Sequence, residues 1–169
     1  MRLEQLSAEH LEAVREFERV NRAHFAAWIP DRGDAFFADY PARHAALLRM
    51  QEEGTDLFHL LVDDDGTLAG RVNLVDIRDG EAELGFRVGR DFTGRGVATD
   101  AVRQVIELAA GAYRLKRLRA AANVTNVGSR NVLLRNGFTL TEETTLDGQP
   151  CHLFILDLAG AAEAVAGCR

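Results

Sequence analysis

Asp91-Phe92-Thr93-Gly94-Arg95-Gly96-Val97-Ala98-Thr99-Asp100 is the stretch on which the reading of this chain turns. It joins two segments of different period. Ahead of it, Glu81-Ala82-Glu83-Leu84-Gly85-Phe86-Arg87-Val88 alternates small or apolar with polar residues, which predicts a strand. Behind it, Val102, Val105, Ile106 and Ala109 recur at helical spacing and mark one buried helix face. A glycine turn that opens a helix aims several free backbone N–H groups in one direction, and the helix dipole adds partial positive charge there. Such a turn binds phosphate.

Three phosphate-loop readings compete with a glycine turn that binds nothing. A Walker A loop ends in Gly-Lys-Ser/Thr, and no such ending is present. A dinucleotide fingerprint needs Gly-x-Gly-x-x-Gly; Thr99 stands at the third glycine, and Arg117 and Arg119 stand near the point where an acidic residue would close the next strand. The third reading is the pyrophosphate arm of coenzyme A. Gly94-Arg95-Gly96-Val97-Ala98 resembles the Gly-x-Gly-x-Ala/Gly loop of the GNAT acyltransferase superfamily.

A second segment agrees in order and spacing. Asn126-Val127-Gly128-Ser129-Arg130-Asn131-Val132-Leu133-Leu134-Arg135-Asn136-Gly137-Phe138 is similar to the Asn-x-x-Ser…Gly-Phe segment that closes the same superfamily's cofactor site. Asn126 is suited to cap a short helix, Val132 and Leu133 form its apolar side, and Gly137 is a helix stop before a strand. An ordinary capped helix packed on a sheet has the same pattern. The two motifs with a strand between them, Arg117 to Ala122, specify more together than either does alone.

The N-terminal third narrows the branch. Asn21-Arg22-Ala23-His24-Phe25-Ala26-Ala27-Trp28-Ile29-Pro30, followed by Arg32 and Phe36-Phe37, resembles the Asn-Arg…Trp-x-Pro…Phe-Phe segment of ribosomal-protein N-acetyltransferases of the RimJ/RimL type. With it, the resemblance runs to about Leu158. Trp28 and Phe37 are candidates for one wall of a substrate cleft; core packing beneath a helical pair explains them equally well.

The resemblance implies a mixed α/β fold. Its seven-stranded, mostly antiparallel sheet has helices on both faces and is splayed between the fourth and fifth strands. The pattern along the chain predicts the same order. It gives a strand at Arg2 to Leu6, a helix from Ser7 to about Arg22, a helix from Ala35 to Glu53 and strands at Leu57–Val62, Leu68–Ile77 and Glu81–Val88. A helix ending near Tyr113, a strand, a short helix and strands near Thr139–Thr145 and Cys151–Leu158 complete it. Residues 1–158 read as one domain, and 159–169, rich in alanine and glycine, as a frayed tail.

Composition bounds the partners. With 169 residues, 47% hydrophobic and 27% charged, the chain has the make-up of a soluble globular domain. A net charge of −6 argues against direct nucleic-acid binding and is compatible with a basic peptide substrate drawn by long-range attraction. Met1-Arg2-Leu3-Glu4-Gln5-Leu6 lacks a signal peptide's apolar run, and the tail is too short to cross a bilayer. Cytoplasmic residence, no membrane partner and a monomer or homodimer are the expectations. Cys151 and Cys168 form no Cys-x-x-Cys pair, and His10, His24, His44, His59 and His152 lack metal-ligand spacing, so neither a disulfide nor a metal is expected.

Acetyl transfer from acetyl-CoA to an amine needs a neutral amine, a held oxyanion and a thiolate that can leave. The resemblance places the coenzyme on Phe86, Val88, Thr93, Gly94, Arg95, Gly96, Val97, Ala98, Thr99, Asn126 and Ser129. It also implies a backbone N–H near Val88 as the oxyanion donor and Ser129 as the donor to sulfur; a helix-surface serine is the plain alternative for Ser129. In the Rim-like branch a carboxylate can sit two residues before the Leu146-Asp147-Gly148 turn, where this chain has Thr144; Glu142 shares its strand face and Glu143 does not. Ala82-Glu83-Leu84 matches a fourth-strand glutamate used as base elsewhere in the superfamily, so Glu83 is the first candidate for catalysis and for contact with the amine. A cross-strand pair with Arg71 or Arg87 is its structural alternative. Neutralising a lysine at pH 7 costs about 4.6 kcal/mol, against about 1–1.4 kcal/mol for an α-amine. A weak base therefore suits a protein N-terminus; a small amine, amino acid or antibiotic in a desolvating pocket, or a non-catalytic acyl-CoA-binding module, remain as alternatives.

Overall fold

A computed structural model describes residues 1–158. The tail expected at 159–169, with Cys168, lies outside the described residues. Seven strands form one sheet in the order β1-β2-β3-β4-β5-β7-β6: β1 Arg2–Gln5, β2 Leu57–Val62, β3 Leu68–Arg78, β4 Glu81–Val88, β5 Arg117–Asn123, β6 Thr139–Leu146 and β7 Gln149–Asp157. The pairs β1/β2, β5/β7 and β6/β7 run antiparallel, and β4/β5 runs parallel. The parallel register joins Glu81–Glu83 to Arg117–Arg119; both strands run on past it, β4 to Val88 and β5 to Asn123. This is the mixed sheet that the pattern predicted.

The described chain groups into two compact units. The first holds Met1–Asn73 with Phe86–Ala98, the second Leu74–Gly85 with the residues from Thr99 onward. In the first, α1 (Leu11–Val20) buries Val14, Phe17 and Glu18. Those positions are i, i+3 and i+4, so a carboxylate shares the helix's core face with two apolar side chains. In the second, α5 (Val97–Ala110) buries Ala101, Val102, Val105 and Ala109 from Thr99 onward, close to the face expected. The same unit contains α6 (Val127–Arg135), whose Leu133 is fully buried.

Two expected helices are each broken, for identifiable reasons. The helix expected from Ser7 to Arg22 begins as a 3-10 turn at Ala8–His10, where Ser7 and His10 form a capping box. It ends as α1 at Val20, and a short α2 follows at Arg22–Phe25. Asn21 makes the break: its side-chain Nδ2 donates to Phe17 O at 3.0 Å, the local competition that makes asparagine a poor interior helix residue. The helix expected at Ala35–Glu53 divides at Asp39 into α3 (Asp34–Ala38) and α4 (Tyr40–Glu53), with Pro41 in the first turn of α4. Proline has no N–H to continue α3 and disfavours it sterically. Helix α5 stops at Ala110, short of Tyr113. No described helix is long and apolar enough to cross a membrane.

Candidate functional site

The loop that opened the sequence reading leaves β4 through a 3-10 turn at Arg90–Phe92. The Phe92 and Thr93 amides donate to Gly89 O and Arg90 O, and Thr93 Oγ1 also donates to Arg90 O at 2.8 Å. None of the turn hydrogen bonds among the described residues uses the amide of Gly94, Arg95 or Gly96. Gly94 and Gly96 have φ of +73° and +75°, a region that glycine enters without steric cost. A Cβ built on either would meet nothing within 4 Å, so the backbone there faces open space. The first helical amides from Val97 add donors with no intrahelical acceptor. Arg95 reaches over the Phe92 ring, its guanidinium carbon 5.9 Å from the centroid.

This loop is held in place by a residue whose structural part the sequence did not reveal. Asn21 Oδ1 accepts from the Arg90 amide at 2.9 Å while its Nδ2 holds Phe17 O. Gly89 lies so close that an added Cβ would sit 3.2 Å from the Phe17 ring and 3.3 Å from Asn21 Nδ2. The end of α1 therefore grips the backbone just where β4 becomes the glycine loop. Helical periodicity runs on through Asn21, so the spacing of apolar residues gives no sign of this role.

Beside Arg87 of β4 the same unit forms a shallow hollow open to solvent. Glu18, Arg22, Phe25, Ile29, Arg32, Phe36 and Phe37 line it together with Arg87. Phe37 is one of its lining residues. Trp28 is 47% exposed and does not line the hollow, although its neighbours Ile29 and Pro30 do. At the floor, Glu18 accepts from Arg71 Nη1 at 2.8 Å and from Arg87 Nη1 at 3.0 Å. The Arg71 and Glu18 side chains are only 6% and 5% exposed. Burial holds the Arg87 guanidinium below its usual pKa; Glu18 counters this, while Arg71 and Arg32 add to it. At the rim, Arg22 donates to Asp31 and Asp34, and these hydrogen bonds raise its pKa.

This network corrects the structural alternative for Glu83. Arg71 and Arg87 turn to Glu18 because α1 delivers that carboxylate to the core side. Glu83 is exposed on β4, in parallel register with Arg119 of β5. Phe86 and Val88 are half-buried on the same strand. Thr144 is half-buried opposite Cys151, and Glu142 and Glu143 are exposed. Glu143 accepts from, or shares a proton with, His152 Nε2 at 2.9 Å, and the other ring nitrogen of His152 is buried without a partner.

In the second unit, Asn126 caps α6: its Oδ1 accepts from the Ser129 amide at 3.0 Å. The half-buried Ser129 therefore sits in the first turn with its backbone fixed. At the other end of α6, Asn136 Nδ2 donates to Val132 O and to Thr99 O in the first turn of α5. The asparagine before Gly137 thus ties α6 to the helix that follows the loop. Among the described residues, no group of histidine, cysteine, aspartate and glutamate could hold a metal.

A family model described as an acetyltransferase (GNAT) domain matches residues 1–139. A putative ribosomal N-acetyltransferase of Bacillus subtilis, YdaF, is 37% identical over 86 residues, covering 50% of this chain and 46% of its own length. The chain thus matches about half the length of this curated relative. Among solved structures, the ribosomal-protein-S5-alanine acetyltransferase of Vibrio fischeri superposes with a TM-score of 0.86 at 22% identity, over 92% of this chain and 91% of that one. RimJ of Mycobacterium smegmatis, in complex with CoA-disulfide, gives a TM-score of 0.83 at 22% identity, over 99% and 88%.

Proposed function

Because the chain belongs to the GNAT acetyltransferase family, we propose that it moves an acetyl group from acetyl-CoA to a primary amine, most consistently the N-terminal α-amine of a protein. The observation that carries this reading is the Gly94–Gly96 turn, with amides uncommitted to turn hydrogen bonds, positive φ and open space where a side chain would stand. Donors so arranged suit a pyrophosphate, which approaches bare backbone more closely than it can approach a side chain. Arg95 adds positive charge beside them.

Acetyl-CoA supplies the activated thioester. Around it, Thr93–Thr99 bind and orient, and a backbone N–H at Val88 is the oxyanion donor. Glu83, exposed and without an ion pair among the described residues, receives the proton that the attacking amine loses. Ser129 donates to the leaving sulfur. The new N–C bond replaces the C–S bond, and the amine's proton balances the thiol's. The carboxylate absent at Thr144 favours an α-amine, whose neutral form costs about 3 kcal/mol less than that of lysine.

Calorimetry with acetyl-CoA, coupled to thiol release in the presence of short peptides, tests the reading. Micromolar binding and peptide-dependent release are expected; no binding at millimolar acetyl-CoA overturns it. Glu83→Gln is expected to lower kcat by about 10²–10⁴-fold and to remove the acid limb of the kcat/KM profile. An unchanged profile would assign the base elsewhere.

A further inference from the structure

The hollow beside Arg87 holds more guanidinium than its carboxylates answer. Glu18 serves both Arg71 and Arg87. Arg71 Nε is buried with no hydrogen-bond partner. Arg32 makes no ion pair among the described residues; it rests on the Phe36 ring at 4.9 Å, and Arg43 rests on the same ring at 4.7 Å. Arg87 lies over Phe25 at 5.2 Å. Only Arg22 has a surplus of acid, in Asp31 and Asp34.

Stacking on a ring uses the face of a guanidinium and leaves its in-plane N–H fork free. That fork matches a carboxylate in two parallel hydrogen bonds. Arg32 is therefore a mounted, uncommitted fork at the mouth of an apolar-walled hollow, with the partly compensated Arg87 at its floor. Like charges packed this way repel: burial is the main reason the Arg87 pKa is lowered, and Arg71 and then Arg32 add to it. An anion between Arg32 and Arg87 relieves the repulsion.

We infer that the amine acceptor carries a carboxylate, and that Arg32 and Arg87 hold it in the Phe25–Phe36 hollow. The inference rests on the acetyl-transfer reading and names the acceptor's chemistry. It runs against the overall charge of −6, which by itself pointed to a basic peptide. A net charge acts at long range and is screened within about 8–10 Å at ordinary salt; the hollow acts at contact. The carboxylate has two sources, an aspartyl or glutamyl side chain near a peptide N-terminus or the α-carboxylate of a free amino acid.

The test pairs acceptors of near-equal shape that differ in that charge, with kcat/KM referred to the neutral amine. One arm compares peptides beginning Ala-Asp and Ala-Asn; the other compares free alanine with alaninamide. Both are followed by thiol release and by the emission of Trp28, the only tryptophan, which adjoins the Ile29–Pro30 wall. The wild type is expected to favour the charged member of one pair at least about tenfold in kcat/KM and in affinity, and the arm that shows it identifies the source. Arg32→Gln, an exposed substitution, should bring that ratio within about twofold, while Arg43→Gln serves as a neighbouring control that retains it. Equal kcat/KM and equal affinity within both pairs, or a preference untouched by Arg32→Gln, overturns the inference. Emission titrations need no turnover, so failure of thiol release with every amine defeats the transferase reading separately from the pocket's selectivity.

Discussion

The loop at Gly94–Gly96 and the hollow around Glu18 lie in the same compact unit and present hydrogen-bond donors by opposite means. The loop uses backbone. Its donors belong to every residue type, so what distinguishes it is the absence of side chains: two positive-φ glycines and open space outside them. The hollow uses side chains. Its cations come from β3, β4 and the segment after α2, and its single buried carboxylate comes from α1. Backbone donors remain when a side chain changes. A buried charge cluster depends on each of its members.

Three substitutions would break or sharpen that contrast. Glu18→Ala should have the largest effect, about 3–5 kcal/mol of stability, because it strands two desolvated guanidiniums; urea unfolding measures it. A loss below about 1 kcal/mol would show that water already screens the cluster. Gly96→Glu should reverse the balance. The space is free but the conformation is left-handed, so it should cost about 1–2 kcal/mol of stability, while acetyl-CoA affinity falls about 100-fold, near 2.7 kcal/mol; calorimetry and unfolding together separate the two. Asn21→Ala, at the joint between the regions, should be smallest. Losing the bonds to Phe17 O and the Arg90 amide should cost about 1–2 kcal/mol and raise the KM for acetyl-CoA a few-fold by loosening the loop.

Stability against pH offers a fourth, milder check away from both regions. Burial lowers the pKa of His59, so the unfolded chain takes up that proton first as pH falls. The contribution is fully present above the unfolded value of about 6.5 and declines below it, at up to about 1.4 kcal/mol per pH unit. Unfolding at pH 7.5 and 5.5 should therefore differ before carboxylates near pH 4 take part; equal stability at the two values would mean that His59 opens to solvent locally.

Much of the fold was legible because the signals are local. The alternation in Glu81–Val88, the helical spacing from Val102 to Ala109, and the turn residues Asp79-Gly80 and Asp147-Gly148 act through neighbours in the chain. The helix breaks at Asn21 and Asp39 were less legible, since periodicity continues across them while a side-chain hydrogen bond and a proline interrupt the backbone. Of the candidate site, the loop and the Asn126 cap could be read, but the partners of Arg71 and Arg87 could not. Glu83 is nearer to Arg87 in sequence, yet Glu18 is the residue that meets both arginines.

Sequence alone determined the order of strands and helices, the glycine turn that exposes backbone donors and the asparagine that caps α6, since each depends on covalent neighbours and their steric limits. Tertiary structure alone decided which carboxylate answers which arginine, that Asn21 grips the Arg90 amide, and that Arg32 is left with a free fork. Those outcomes depend on which faces of distant elements meet, and Coulomb and hydrogen-bond energies respond to distance in space rather than along the chain.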